Sequence, residues 1–152
     1  MSREHHYDVT VRWTGETGTT SYRGYARDHD VEAAGKPTLA ASADPAFLGA
    51  ADRWNPEELL VATLSQCHML TYLALCARTG VVVTGYADSA SGVMREDGAH
   101  GGQFTEVVLR PEVSVAEEDM REKAAALHHD AHEQCFIANS VNFPVRHEPV
   151  VR

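Results

Sequence analysis

The sequence is poor in cysteine, in basic clusters and in long apolar runs, and each shortage closes off a class of protein. Three cysteines among 152 residues are an odd number and too few for a secreted disulfide framework. The default expectation is a reducing, cytoplasmic compartment, where a disulfide is transient and catalytic. The 13 Lys and Arg residues are outnumbered by 22 Asp and Glu, for a formal net charge of -9. Without a basic stripe there is no footprint for a phosphate backbone, so nucleic acid is not an expected partner. The stretch from Met1 to Asp8 is polar, so a secretory signal is not expected. The most apolar run, residues 59–77, is interrupted by Thr63, Ser65, Gln66, Cys67, His68 and Thr71; it reads as a buried core helix and not as a membrane span. The glycines form neither a P-loop nor a dinucleotide fingerprint. No Gly-x-Ser-x-Gly elbow supports a hydrolase.

What is there points to one α+β domain over residues 1–152. Tyr7, Val9, Val11 and Trp13 alternate with polar residues, the pattern of a half-buried strand. After a turn at residues 15–18, a second strand is expected over residues 19–25 and a short third one over residues 29–33. Residues 37–55 show no period and read as an irregular connection, which at that length is functional or an interface element. Asn55, Pro56, Glu57 and Glu58 then supply a helix cap, a first-turn proline and two carboxylates that complement the helix dipole. The spacing predicts a helix to about Thr79, stopped by Gly80 and apolar nearly all round its middle, hence deep in the protein. Residues 81–93 and 104–115 read as the two strands of a long hairpin. Ser114 with Glu117 suggests a capping box for a second helix from Val115 or Ala116 to about Gln134. A final strand over residues 137–146 and a tail at residues 150–151 complete an order that argues for an antiparallel sheet.

Cys67 sits in the middle of the first helix. A lone cysteine is ordinarily a small buried hydrophobe, but Ser65, Gln66 and His68 put polar groups around it, and burying them unpaired is costly. A site that needs donors near a thiolate accounts for them. Cys135 follows the second helix, where a free end lets its sulfur approach another thiol. Cys76, nine positions after Cys67, falls on the opposite helix face and reads as packing. The competing chemistry is metal: His128, His132 and Cys135 stand at i, i+4 and i+7, one stripe of a continuing helix. That spacing is unspecific, and a convincing fourth ligand is missing.

Two motifs carry a family resemblance. Asn55-Pro56-Glu57-Glu58-Leu59-Leu60-Val61-Ala62-Thr63-Leu64-Ser65-Gln66-Cys67 resembles the central-helix motif of the OsmC/Ohr organic hydroperoxide reductases. Glu133-Gln134-Cys135-Phe136-Ile137-Ala138-Asn139-Ser140 matches the position of the second family cysteine, and the separation of the two cysteines is family-like. The order of elements agrees over nearly the whole chain. The resemblance implies an OsmC-like fold, with antiparallel sheets wrapped around two central helices in an intertwined homodimer. It implies a peroxidatic Cys67 that forms a sulfenic acid, a Cys135 that condenses with it, and an external dithiol, often a lipoyl group, as reductant. The leading expectation is thiol chemistry with no metal and no cofactor, and no membrane is expected as a partner.

The resemblance further implies an arginine, held by a glutamate, that lowers the pKa of the attacking thiol. Glu57 matches that glutamate, and Arg27 is the first choice for the arginine, Arg23 the second. Glu57 precedes Cys67 by ten positions, about 15 Å along one helix. A carboxylate does not bridge that length, so Glu57 is expected to serve the Cys67 of a partner chain. Its plainer role is to complement the helix dipole. The chain departs from the hydroperoxide-resistance branch at Arg27-Asp28-His29, in the longer loop over residues 37–55 and at His68, and so resembles a less-characterised OsmC-like branch. A non-catalytic protein binding a small hydrophobic ligand is the alternative on the same fold.

Overall fold

The computed structural model describes residues 2–13 and 15–152; Met1, at the head of the polar N-terminal stretch, and Thr14 lie outside them. The chain divides into two compact units, Met1–Leu59 and Leu60–Arg152.

The first unit is an antiparallel meander of β1 (Thr10–Trp13), β2 (His29–Glu32) and β3 (Leu39–Ala41), in that order. The strand expected over residues 19–25 does not form. That segment is a run of turns and bends, because Tyr22 and Tyr25 do not alternate along one strand face. They flank the Arg27 guanidinium instead, which lies 4.9 Å from one ring centre and 3.7 Å from the other. β3 arises inside the segment expected to be irregular. Beyond it the chain is pinned by side chains: the Ser42 hydroxyl donates to Asp28 (2.9 Å) and accepts from the Ala50 amide (3.0 Å). Arg53 pairs with Asp28 and Asp30 at 3.4 and 3.8 Å.

Helix α1 (Pro56–Thr79) starts and stops where its caps dictate. The Asn55 side chain accepts from the Glu58 amide at 2.8 Å, and Gly80 ends the helix at φ 82, a conformation that costs glycine little. The expectation of burial all round is corrected. Only Leu64, His68, Tyr72 and Cys76 are buried, one residue every turn, while Leu70 is 60% exposed. Length and composition alone would let α1 cross a membrane, yet this stripe is packed within the second unit.

The long hairpin is present but broken into two ladders. β4 (Val83–Asp88) pairs with β7 (Pro111–Val115), and β5 (Ser91–Asp97) pairs with β6 (Gly101–Leu109), with interruptions at Ser89-Ala90 and at Arg110. The capping box at Ser114 and Glu117 does not form, since Ser114 is committed to the β4–β7 ladder. A 3-10 turn at Glu118–Met120 intervenes, and α2 runs over Arg121–Gln134. The last expected strand is also corrected: residues 138–140 form a 3-10 turn, and only β8 (Val145–His147) is extended. β8 joins β6, and β9 (Val150–Val151) joins β7, both in parallel. The sheets β4-β7-β9 and β5-β6-β8 are therefore mixed and not purely antiparallel.

The α1 stripe feeds two clusters. Leu64 packs with Val107, Leu109 and Val145; Tyr72 and Cys76 pack with Val81, Val113, Ala124, Leu127 and Ala131. The second cluster joins α1 to α2, and Cys76 takes the packing role its phase suggests.

Candidate active site

α1 carries Cys67 to the edge of the core, where it is half-buried, and α2 ends beside it. Cys135 is the first residue past α2, in extended backbone (φ -71, ψ 111), and is 1% exposed. Both are free thiols. Burial pushes the Cys135 thiol up to about 11, and the adjacent Cys67 sulfur adds to the rise by favouring the protonated form. The Ala138 amide, which donates to the Cys135 sulfur at 3.5 Å, pulls the other way. The fold therefore gathers the two cysteines into one buried-to-exposed pair, with Cys135 the protonated partner at neutral pH.

Two residues before Cys67, the Ser65 hydroxyl donates to Asp88 Oδ2 at 2.5 Å. Asp88 Oδ1 accepts from the Arg110 amide at 2.6 Å, so one carboxylate spans α1 and both breaks in the hairpin. Ser65, one of the polar residues around Cys67, thus has a partner, as the cost of burying it unpaired requires.

The site also contains a group that the spacing of residues does not announce. His68 Nε2 lies 3.0 Å from His128 Nδ1, and the Tyr72 ring stacks on His128 with centres 3.9 Å apart. His147 of β8 stands 5.7 Å from His68 and 5.3 Å from His132, centre to centre. Both His68 and His128 are 1% exposed. Burial, followed by the charges of His147 and His132, lowers His68 to about 4. Burial, followed by the charges of His68 and His147, lowers His128 to about 3. Both rings are neutral at pH 7, so one proton lies between them. His128 Nε2 is buried without a partner among the described residues. Placing the proton on His128 Nδ1 leaves a lone pair there, not an N–H, unpaired. His128 then donates to His68. The metal reading of His128, His132 and Cys135 is not supported: among the described residues no three His, Cys, Asp or Glu side chains are grouped so as to hold an ion. His128 faces inward to His68, while His132 turns to His147. The clue to the pair was His68 itself, a histidine in the middle of an apolar helix; nothing in the sequence marked His147.

Arg27 and Glu57 lie in the first unit. The Arg27 guanidinium donates to the carbonyls of Tyr22 and Tyr25 within its own segment, and Arg23 is exposed. Glu57 Oε2 is buried and has no hydrogen-bond partner among the described residues. A cavity of about 480 Å³ lies along the end of the β5–β6 hairpin, lined by Arg95, Asp97, His100, Gln103 and neighbours, and includes neither cysteine.

A mixed-sheet α+β unit with one cysteine inside a central helix and a second at the end of the next helix defines a class, and the family model described as OsmC-like protein matches residues 49–149. The chain belongs to the OsmC-like family. Among solved structures it is similar to an OsmC-like protein of unknown function from Vibrio cholerae, with 33% identity, a TM-score of 0.88, and coverage of 97% of this chain and 100% of that one. An organic hydroperoxide resistance protein from Elizabethkingia anophelis shares the fold at 19% identity and a TM-score of 0.69, over 98% of each chain. Another, from Legionella pneumophila, does so at 17% identity and 0.66, over 97% of this chain and 98% of that one. No curated protein matches the sequence.

Proposed function

We propose that this chain is a thiol-dependent peroxidase that reduces organic hydroperoxides to alcohols, working in the cytoplasm. The observation that carries the reading is the cysteine pair: a half-exposed Cys67 against a buried Cys135 held protonated. The Cys67 thiolate attacks the hydroxyl-bearing oxygen and the O–O bond breaks; that oxygen stays on sulfur as Cys67–SOH, and the other leaves as alkoxide, which takes a proton from solvent to become the alcohol. The Cys135 sulfur then displaces that hydroxyl, forming the Cys67–Cys135 disulfide and releasing water. An external dithiol, with a lipoyl group as the family precedent, reduces the disulfide by exchange and is itself oxidised.

Arg27 and Glu57 complete the proposal. A buried carboxylate oxygen without a partner, as at Glu57, suits a guanidinium, and a guanidinium beside Cys67 favours the thiolate. Because Glu57 stands about 15 Å along α1 from Cys67, the pairing operates between the chains of a homodimer, with Glu57 serving the partner's cysteine. The uncovered faces of α1 support that assembly.

Incubation with cumene hydroperoxide and dihydrolipoamide tests the reading. The wild-type protein is expected to consume peroxide catalytically, and Cys67→Ser to fall to the uncatalysed background. Intact mass after one equivalent of peroxide should show loss of two hydrogens, mapped to Cys67 and Cys135. Undiminished turnover by Cys67→Ser removes the assignment. No turnover, with both thiols still reduced after peroxide, favours a binding protein on the same fold.

A further inference from the structure

We propose that His68 and His128 are positioning residues that set the approach of Cys135 to Cys67, and through it the rate at which the disulfide closes. The proposal rests on the reading of these cysteines as attacking and resolving thiols.

Each histidine is tied to one cysteine. His68 directly follows Cys67 on α1, and His128 stands on α2 seven residues before Cys135, the first residue past that helix. Their hydrogen bond, at 3.0 Å, joins the two helices. A second bond repeats the link one turn away: the Tyr72 hydroxyl donates to the Ala124 carbonyl at 2.8 Å. From His68 to Tyr72 the step is four residues along α1; from His128 to Ala124 it is four residues back along α2. The two bonds therefore form an antiparallel ladder in register, and the Tyr72 ring, stacked on His128, fills the space between its rungs.

A ladder of this kind is a poor way to gain stability, because burying two imidazoles costs desolvation that leucines in the same place would not. It does fix register. Apolar side chains tolerate sliding of one helix along another, whereas a buried hydrogen bond is lost by a displacement of about 1 Å. Cys135 lies just past the end of α2, so its sulfur goes where that end is held. Disulfide closure requires Cβ atoms about 3.5–4.5 Å apart, and a misplacement of about 1 Å costs on the order of a hundredfold in rate. The step served is the one in which the Cys135 sulfur displaces hydroxide from Cys67–SOH, with its thiol proton leaving in the water formed.

The geometry of the bond supplies the test. His68 accepts through Nε2, a position that a glutamine carbonyl reproduces; His128 donates through Nδ1, a position that an asparagine amide reproduces. His68→Gln and His128→Asn are the matched variants, while His68→Asn and His128→Gln place the same groups one carbon out of position. Two readouts are taken on the full-length protein, with circular dichroism as a check on folding. One is the rate of disulfide closure after a single equivalent of cumene hydroperoxide, followed by acid quench and mass. The other is the equilibrium of the Cys67–Cys135 disulfide against oxidised and reduced dithiothreitol, which involves no peroxide.

Matched variants are expected to stay within about threefold of wild type, and mismatched ones to lose about tenfold or more in both closure rate and disulfide equilibrium. Equal behaviour of matched and mismatched variants overturns the proposal. If wild-type protein forms the disulfide in the redox buffer but does not consume peroxide, the peroxidase reading fails while the positioning role stands. If it forms no Cys67–Cys135 disulfide in either assay, both fail.

Discussion

Two thiols in contact differ in reactivity when one is buried and the other is not. Cys135 is nearly inaccessible and held protonated to about pH 11, and Cys76 is buried in the core, its thiol raised by burial. Alkylation of the native protein with iodoacetamide at pH 7.5 is therefore expected to label Cys67 first, by about tenfold or more over the other two. Peptide mapping at partial labelling checks this, and equal labelling of Cys135 would contradict the asymmetry. The histidine pair makes a second residue-scale prediction. His68 and His128 lie well below the ordinary value of 6.5 because their charged forms are desolvated, and His147, lowered by burial and the His132 charge, faces both. Between 6.5 and about 4 the unfolded chain binds protons that the folded one refuses, so the contribution of these rings is full above pH 6.5 and is lost as pH falls. At about 1.4 kcal/mol for each tenfold change in proton affinity, the His68 part is on the order of 3 kcal/mol. Urea unfolding at pH 7.5, 6 and 5 should show the decline, and a His68→Gln, His128→Asn double variant should show a shallower one.

At the scale of elements, local chemistry and long-range pairing had different fates. The ends of α1 were legible because Asn55, Pro56, Glu57, Glu58 and Gly80 act on their own turn of backbone. The segment at residues 19–25 was misread because two tyrosines three positions apart mimic strand composition without its alternation. β8 and β9 are short parallel additions to β6 and β7, and no neighbouring residue advertises a partner that lies over 30 positions away in sequence. Gly92 illustrates the same point: a Cβ there would stand 2.9 Å from both Val61 and Phe104, a constraint visible only once α1 lies on β5. The Asp88 carboxylate is the main polar tie between these elements, with an oxygen each for Ser65 and the Arg110 amide. Asp88→Ala is expected to cost about 1–2 kcal/mol by leaving both donors short of an acceptor, and to lower peroxide turnover through the loosened Cys67 segment. Chemical denaturation and steady-state assay together check it; an unchanged midpoint would show that water replaces the carboxylate fully.

For the whole molecule, the uncovered surface of α1 is the salient fact. A helix apolar nearly all round, but buried along one stripe in a single chain, leaves Leu70 facing outward and much of the rest only partly covered, and such surface is stable in water when another surface covers it. Sedimentation equilibrium is expected to give twice the chain mass of 16.6 kDa, and Leu70→Lys to shift the population toward the single chain with a parallel loss of turnover. A monomeric wild-type protein at micromolar concentration would remove the intersubunit role proposed for Glu57.

The sequence by itself determined the family and the two helices, because caps, motif residues and helical phase are local and survive without tertiary context. It also placed Cys76 in the core, since phase along one helix needs no partner. Only the tertiary structure decided that Cys135 is the buried thiol, that the strands join in mixed sheets, and that His128 turns to His68 while His132 turns to His147. Each of those outcomes depends on desolvation or on a contact between segments distant in the chain. The energies involved are set by what surrounds a residue after folding, and no pattern of neighbours along the chain encodes them directly.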